Sequence, residues 1–478
     1  MTALTPAGEC TLLAVPQFAG LDIGTSSTKA VLIDEEGNVT AQAHRAYEAQ
    51  SPRPLWVEQD PEVWWEAAQE CLKEIGGDPT AIGLTGQMHG SVFLDSQDQV
   101  VRPALLWCDQ RTADDRDALV ASVGREVIRR TTGNPMLTGF QAPKIAWLRR
   151  EAPEDFRRVR SVLLPKDFVR LRLMGDKATD VSDASGVGLF DITERSWSIS
   201  LMGALGFDPG WFPAVFESDQ VVGRTSDGSL VVAGAGDQAA SAVGTGAVRP
   251  GVVSVGLGTS GVVFATVEGP DLPENETVHL FCHAQRGWHR MGVVLSFGGA
   301  VSWAHRTLFP GTSLDDMAAM AASAPVGCEG LTFVPRLAGE RCPVDRPDDR
   351  GRLLGLTLRH GREHLARAVF EGAAFALAAS WAAVLQGLPR PVEVRVTGGG
   401  ASSPFLTQLI ADVLESPLRL LESDEGPALG AALLAGIGAG HWRDTAEATA
   451  CVHVKRAIEP SGPSYREPVE RFLTCSDG

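Results

Sequence analysis

Much that would classify a 478-residue chain at once is missing from this one. There is no Cys-x-x-Cys pair. The eight cysteines (Cys10, Cys71, Cys108, Cys282, Cys328, Cys342, Cys451 and Cys475) are scattered, which argues against a zinc or disulfide framework and fits reduced thiols in the cytoplasm. No apolar run reaches the ~18 residues that cross a bilayer; the best, Gly372 to Leu385, is alanine-rich and interrupted by Ser380. The first basic residue is Lys29, so the charged start of a signal peptide is absent, and Met1 to Gln17 is expected to be a loose extension or a misassigned start. Positive charge is short as well: 42 Lys and Arg stand against 59 Asp and Glu, a net charge of −17. Such a surface repels nucleic acid and anionic membranes. The P-loop spacing is missing, and Gly234-Ala-Gly-Asp-Gln-Ala-Ala240 lacks the third glycine of a dinucleotide loop.

What remains is ordinary globular composition, 44% hydrophobic and 21% charged, in a chain long enough for two or three domains at roughly 150 residues each. Residues Phe18 to Val39 read as short apolar strands around a Gly24-Thr-Ser26 turn. A related pattern returns at Val253 to Ala265 around Gly258-Thr-Ser260, which places Asp22 opposite Gly256. This is a weak internal repeat: two units open alike, and only the first keeps a carboxylate. Between and beyond them strands alternate with helices. Strands are expected at Ala81 to Thr85, Ser91 to Leu94, Val231 to Ala233 and Val392 to Val396, and helices at Pro61 to Ile75, Glu363 to Leu385 and Phe405 to Leu414. The alternation predicts an α/β architecture with helices packed on mixed sheets, changing domain near Arg249-Pro-Gly251.

A phosphoryl-transfer site needs backbone amides from tight turns, a carboxylate-held magnesium ion, and an acceptor hydroxyl in line. Asp22-Ile-Gly-Thr-Ser-Ser-Thr-Lys29 supplies the first two, with Gly24 for the turn, Thr25 and Ser26 as donors to phosphate, and Asp22 for the metal. Gly258-Thr259-Ser260 is a second amide-rich turn, and Gly398-Gly399-Gly400-Ala401 a third, open enough for a flat adenine. Each loop alone also reads as a plain connection. On the acceptor side, Gln87 and His89 lie between Gly86 and Gly90, and Trp107-Cys-Asp109-Gln-Arg111 adds an aromatic face and polar groups. Asp237, between Gly236 and Gln238 after a strand, is the candidate base, ionised at neutral pH with an ordinary pKa of about 3.9, although such an Asp is also a common helix cap. His360-Gly-Arg-Glu-His364 matches an inverted zinc-protease pattern by letters only, since Gly361 interrupts the helix such ligands need.

Taken in order from Gly20 to about Gly440, these motifs resemble the FGGY family of carbohydrate kinases, most closely its xylulokinase branch. Gly86-Gln-Met-His-Gly90 is the most specific sign of that branch, beside Leu55 to Trp65, Gly139-Phe-Gln-Ala-Pro-Lys-Ile-Ala-Trp147, Leu164-Pro-Lys-Asp167, Asp180-Val-Ser-Asp-Ala-Ser185, Leu337-Ala-Gly-Glu-Arg341 and Gly355 to Gly372. The resemblance implies two actin-like, ribonuclease-H-like ATPase domains with a cleft between them: residues 18–249 for sugar and phosphate and 250–440 for nucleotide, flanked by an extension (1–17) and a tail (441–478). It implies ATP-dependent phosphorylation of D-xylulose to D-xylulose 5-phosphate with ATP and Mg2+, in the cytoplasm, with no nucleic acid or membrane partner and a homodimer as one possibility. The rivals are another ketose or polyol acceptor (ribulose, ribitol, glycerol) or a sugar-independent ATPase.

By motif position, Asp237 is the expected base. Gln87, Met88, His89, Trp107, Asp109, Arg111 and Gln238 are expected around the sugar. Gly24, Thr25, Ser26, Lys29, Gly258, Thr259, Ser260, Gly398, Gly399, Gly400 and Ala401 are expected around the nucleotide, and Asp22 with Asp237 at magnesium. Gln238 stands where a familiar bacterial xylulokinase has Asn, and Cys108 and Gln110 depart from the usual Trp-Asn-Asp-Gly-Arg. These departures border the sugar and bear on which sugar is taken.

Overall fold

The computed structural model describes residues 15–422, 426–462 and 464–477, so Cys10 and most of the expected extension lie outside the described residues. The first half is built on a seven-stranded sheet of β1 (Phe18–Ile23), β2 (Ser27–Ile33), β3 (Val39–Ala46), β4 (Ala81–Gly86), β5 (Val221–Arg224), β6 (Leu230–Val232) and β7 (Ala235–Gly236). The strand order is β5-β6-β4-β1-β2-β3, with β7 also pairing β4. The second half repeats the plan with β8 (Val252–Leu257), β9 (Gly261–Val267), β10 (His279–Cys282), β11 (Trp288–Val294), β12 (Glu393–Thr397), β13 (Leu418–Leu421) and β14 (Val454–Ile458), ordered β10-β11-β9-β8-β12-β13-β14. Three antiparallel neighbours stand on one side of each sheet, β1-β2-β3 in the first half and β8-β9-β11 in the second, and the first of each set pairs in parallel on its other edge (β1 with β4, β8 with β12). The weak sequence repeat is thus a repeat of topology over five central strands, β3-β2-β1-β4-β6 matching β11-β9-β8-β12-β13, while β10 and β7 have no counterparts.

The helices follow from local sequence. In α1 (Pro61–Ile75) the Asp60 side chain caps the Glu62 N–H and Pro61 fills the first turn, where its missing N–H costs nothing. Trp64, Ala67, Ala68, Cys71 and Ile75 recur at helical spacing and are buried. The other helices that place the site are α2 (Gln141–Glu151), α3 (Pro165–Met174), α4 (Val181–Ala184), α5 (Asp237–Gly244), α6 (Gly298–Leu308), α7 (Arg362–Val384), α8 (Pro404–Leu414), α9 (Gly426–Gly438) and α10 (Arg466–Asp477). By length and composition α7 is apolar enough to cross a membrane, yet most of it is buried inside this protein, where its apolar surface forms the core of the second half.

The halves interlock through α9, which follows β13 but packs on β1, β4 and α5 of the first half. The approach is backbone to backbone: a Cβ on Gly20 would lie 1.9 Å from the Ala428 carbonyl oxygen, and one on Gly83 2.0 Å from that of Ala431. Only glycine permits this contact. The stretch expected as a tail is built in: β14 pairs with β13, and α10 packs on α7 and on the strand Thr332–Val334.

Candidate active site

β1, β4 and β7 run parallel and finish together. Asp22 and Ala235 both stand opposite Thr85, and Ile23 and Gly236 opposite Gly86. The chain therefore leaves the sheet at Gly24, Gln87 and Asp237 along one edge, the carboxyl end of parallel strands, where α/β sheets bind ligands. Asp22 is half-buried, and Lys29 is its register partner on β2. The Gly24 N–H closes the turn on the Ser27 carbonyl at 3.0 Å, leaving Ser26 exposed. Thr25 Oγ1 donates to Gln87 Oε1 at 3.2 Å and accepts from Trp107 Nε1 at 3.0 Å, while Gln87 Nε2 donates to the Gly24 carbonyl at 3.3 Å. The expected phosphate turn and both expected sugar loops are thus wired together by side chains.

His89 follows with a backbone φ of 67°, left-handed and unusual outside glycine. Its Nδ1 meets the Gly186 carbonyl at 2.7 Å. A carbonyl only accepts, so Nδ1 carries the proton and Nε2 is left as an acceptor. Burial pushes the His89 pKa down to about 3, aided by the charges of Lys144 and of Arg341 from the second half, against the hydrogen bond to Gly186. The ring is neutral. Lys144, fully buried on α2, donates from Nζ to the His89 carbonyl at 2.7 Å, and burial lowers its own pKa to about 7. Small residues make room: a Cβ on Gly186 would fall 2.4 Å from His89 Nδ1, and one on Gly236 3.0 Å from Met88 Cγ. Met88, buried, therefore packs against the residue that precedes Asp237.

Two expected sugar ligands are turned elsewhere. Asp109 accepts from the Val57 N–H at 2.7 Å and the Arg111 N–H at 3.0 Å, and pairs with the Arg111 guanidinium at 2.7 Å. Arg111 also meets Glu58 Oε1 at 2.6 Å and lies over the Trp56 ring at 3.7 Å. Both side chains are buried, and these bonds hold the Trp107 loop in place.

Asp237 opens α5, half-buried beside Gln238. The expectation of an ordinary carboxylate needs correcting: burial pushes its pKa up to about 6, against hydrogen bonds from the Gln238 backbone and side chain that pull it down.

In the second half the pattern of edges repeats. Gly256 pairs with Thr397, so the Gly258–Ser260 and Gly398–Ala401 loops also leave side by side. The first N–H groups of α6 donate into the turn, Gly298 to the Gly258 carbonyl at 3.1 Å and Gly299 to that of Thr259 at 2.9 Å. Ser260 Oγ donates to the Leu295 carbonyl at 3.3 Å, while Gly258 and Thr259 are exposed. Gly398 has φ 86°, and a Cβ there would come 2.9 Å from the Leu257 backbone. A Cβ on Gly399 would meet nothing within 4 Å, Gly400 packs on Leu257, and Ala401 is half-buried on the core.

Among the described residues no group of three or more His, Cys, Asp or Glu side chains could hold a metal. Asp22 and Asp237 at one sheet edge fit a different kind of site, since Mg2+ is usually held by one or two carboxylates together with substrate phosphates. The His360–His364 pattern has Gly361 as the cap of α7, whose N–H donates to His364 Nδ1 at 3.1 Å, so the helix begins after the first histidine.

Residues 18–244 match the N-terminal domain of the FGGY family of carbohydrate kinases, and residues 253–439 match its C-terminal domain. The chain belongs to the FGGY carbohydrate kinases. This kinase is 39% identical to the xylulose kinase of Escherichia coli K12, over 94% of this chain and 95% of that protein. The crystal structure of a xyloylose kinase from Brucella ovis superimposes with a TM-score of 0.89 at 36% identity, covering 96% of this chain and 98% of the other. A gluconate kinase from Lactobacillus acidophilus gives 0.91 at 26% identity, covering 97% and 98%. Sequence motifs flagged the segments that carry Lys144, Lys166, Ser182 and Arg341 in this kinase, but gave these residues no role. Their contacts span 55 residues between Lys144 and His89 and 54 between Ser182 and Gly236, and no local pattern encodes them.

Proposed function

We propose that this kinase transfers the γ-phosphoryl group of ATP to the terminal hydroxyl of D-xylulose, giving D-xylulose 5-phosphate and ADP, with Asp237 as general base. The observation that carries the reading is the single edge where Asp22, the Gly24-Thr25 turn, Gln87-Met88-His89 and Asp237 converge, in a chain with xylulose kinases among its relatives over more than nine-tenths of its length.

The geometry accounts for the chemistry step by step. His89 Nε2 offers a neutral acceptor to a sugar hydroxyl, with Met88 and Trp107 as apolar walls, while the buried Gln87 amide, bonded to Thr25 and Gly24, holds the sugar loop against the phosphate turn. Asp237 takes the hydroxyl proton as the sugar oxygen bonds to the γ-phosphorus and the bond to the β–γ bridging oxygen breaks. A base with a pKa of about 6 is still ionised at pH 7 yet holds a proton better than an exposed aspartate, which suits general-base work. The exposed turns Gly24–Ser26 and Gly258–Ser260 present amides and hydroxyls to phosphate oxygens, and Gly399 leaves a bare surface for the adenosine. Asp22 and Asp237 are the residues that would hold Mg2+, whose charge would offset that of the transferring phosphoryl group. Closing the halves excludes water as a competing acceptor. Supply of ATP places this work in the cytoplasm.

The test is ADP release measured across D-xylulose, ribulose, ribitol, glycerol and gluconate. D-xylulose should have the highest kcat/KM. A higher value for gluconate would favour the second reading, motivated by the gluconate kinase of similar shape. Release that no sugar stimulates would sink the kinase assignment.

A further inference from the structure

Behind Asp237 lies a cluster of charges that the reaction scheme leaves idle. Lys166, Asp167, Arg170, Asp180 and Asp183 are all within 1% of complete burial. Lys166 Nζ sits 2.6 Å from Asp167, 2.9 Å from Asp180 and 3.3 Å from Asp183, and Arg170 Nη1 sits 2.5 Å from Asp167. Taking five ionisable groups out of water is expensive, and a well-packed apolar core would be at least as stable. A purpose other than stability is therefore expected.

The hydrogen bonds leaving the cluster point to one. Arg170 donates from Nη2 to the Ala233 carbonyl and from Nη1 to that of Ala178 at 2.7 Å. Ser218 Oγ donates to Asp180 Oδ2 at 3.3 Å, and the Ser218 carbonyl accepts the Gly234 N–H at 2.9 Å. Ser182 Oγ donates to Asp180 Oδ2 at 2.5 Å and accepts the Gly236 N–H at 3.1 Å. Because the Asp180 carboxylate takes the one hydroxyl proton of Ser182, a lone pair of that oxygen is left facing the Gly236 amide. Ala233, Gly234 and Gly236 are each gripped from this side, and Ala235 is gripped by its β-pairing to Thr85. The residue delivered by this fully tethered strand is Asp237.

We propose that Ser182, locked by the Asp180–Lys166 ion pair, is a positioning residue that fixes the backbone entering Asp237 and so aims the catalytic carboxylate at the sugar hydroxyl. The inference rests on Asp237 being the base. It explains why Asp180-Val-Ser-Asp183 and Leu164-Pro-Lys-Asp167 belong together: they form the mount of the base and do not touch the sugar.

The experiment compares Ser182→Ala with Ser218→Ala, which deletes another hydroxyl donated to Asp180 but frees no strand amide. Ser182→Ala should lower kcat about tenfold with both KM values within about threefold, since displacements below an ångström are costly in catalysis. Ser218→Ala should lose a similar few degrees of Tm and keep kcat. In an Asp237→Asn background, Ser182→Ala should cause no further loss. Wild-type kcat in Ser182→Ala, or an equal kcat loss in Ser218→Ala, would overturn the proposal. If Asp237→Asn itself turns over normally, the base assignment has failed; if it is dead while Ser182→Ala is normal, only the positioning role has. Should Ser182→Ala not fold, Ser182→Gly also removes the acceptor for the Gly236 amide, and unchanged turnover there overturns the proposal equally.

Discussion

The two halves share the order of their five central strands and a Gly-Thr-Ser turn at the same point, yet their edges are furnished differently. In the first half Asp22, Gln87, Met88, His89 and Asp237 crowd the edge, with Gln87 and Met88 buried and cross-linked to Thr25 and Gly236. At the equivalent places in the second half stand Gly256, Gly398, Gly399 and Gly400, with Gly258, Thr259 and Gly399 exposed. One scaffold was used twice. A reaction that strips a proton and discriminates among sugars needs side chains held rigidly, whereas a flat, charged nucleotide is served by amides and bare backbone.

Exchanging the character of the two edges should break the comparison in graded ways. The largest effect belongs to the first edge: Asp237→Asn should lower kcat by about a thousandfold, the range expected for a lost general base, while calorimetry finds nucleotide affinity within about twofold of wild type. Retained turnover would mean that the furnished edge is not where the proton goes. Acidification is the milder form of the same test. Asp237 has its pKa raised to about 6, so the proton-accepting form is lost as pH falls through 6 and is complete above it. Below that point kcat/KM for sugar should fall about tenfold per pH unit, and a limb nearer pH 4 would mean that burial does not act on this group. His89 should add no limb between pH 5 and 8, because it is already neutral.

The second edge should respond in the nucleotide alone. Gly399→Leu fills open space, so it should raise KM for ATP by about tenfold while leaving Tm and KM for sugar unchanged. A shift in sugar KM instead would place this loop in the wrong half of the reaction. The smallest change is at the wiring between loops: Trp107→Phe removes the donor to Thr25 and should raise KM for sugar about threefold, read from initial rates.

Much of the fold was legible because it is encoded locally. Pro61–Ile75 is the helix that Asp60, Pro61 and a buried stripe at helical spacing specify. The expected Glu363–Leu385 is offset by one residue at both ends from Arg362–Val384, and Phe405–Leu414 begins one residue later than Pro404–Leu414. Asp109 and Arg111 were expected around the sugar; their pairing with each other and the packing of Arg111 on Glu58, Trp56 and Trp147 were not legible, because those neighbours lie far away in sequence. The pKa of Asp237 was likewise out of reach, since burial is a property of the assembled edge.

The sequence by itself determined the family, the repeated unit and the residue types at each turn, because glycines, caps and apolar periods act over a few neighbouring positions. Tertiary structure decided which of those polar groups reach the site and which are spent on one another, how far Asp237 is desolvated, and that Lys166, Asp180 and Ser182 stand behind it. Those outcomes depend on electrostatics and packing between segments brought together only when the parallel strands align and α9 closes against them.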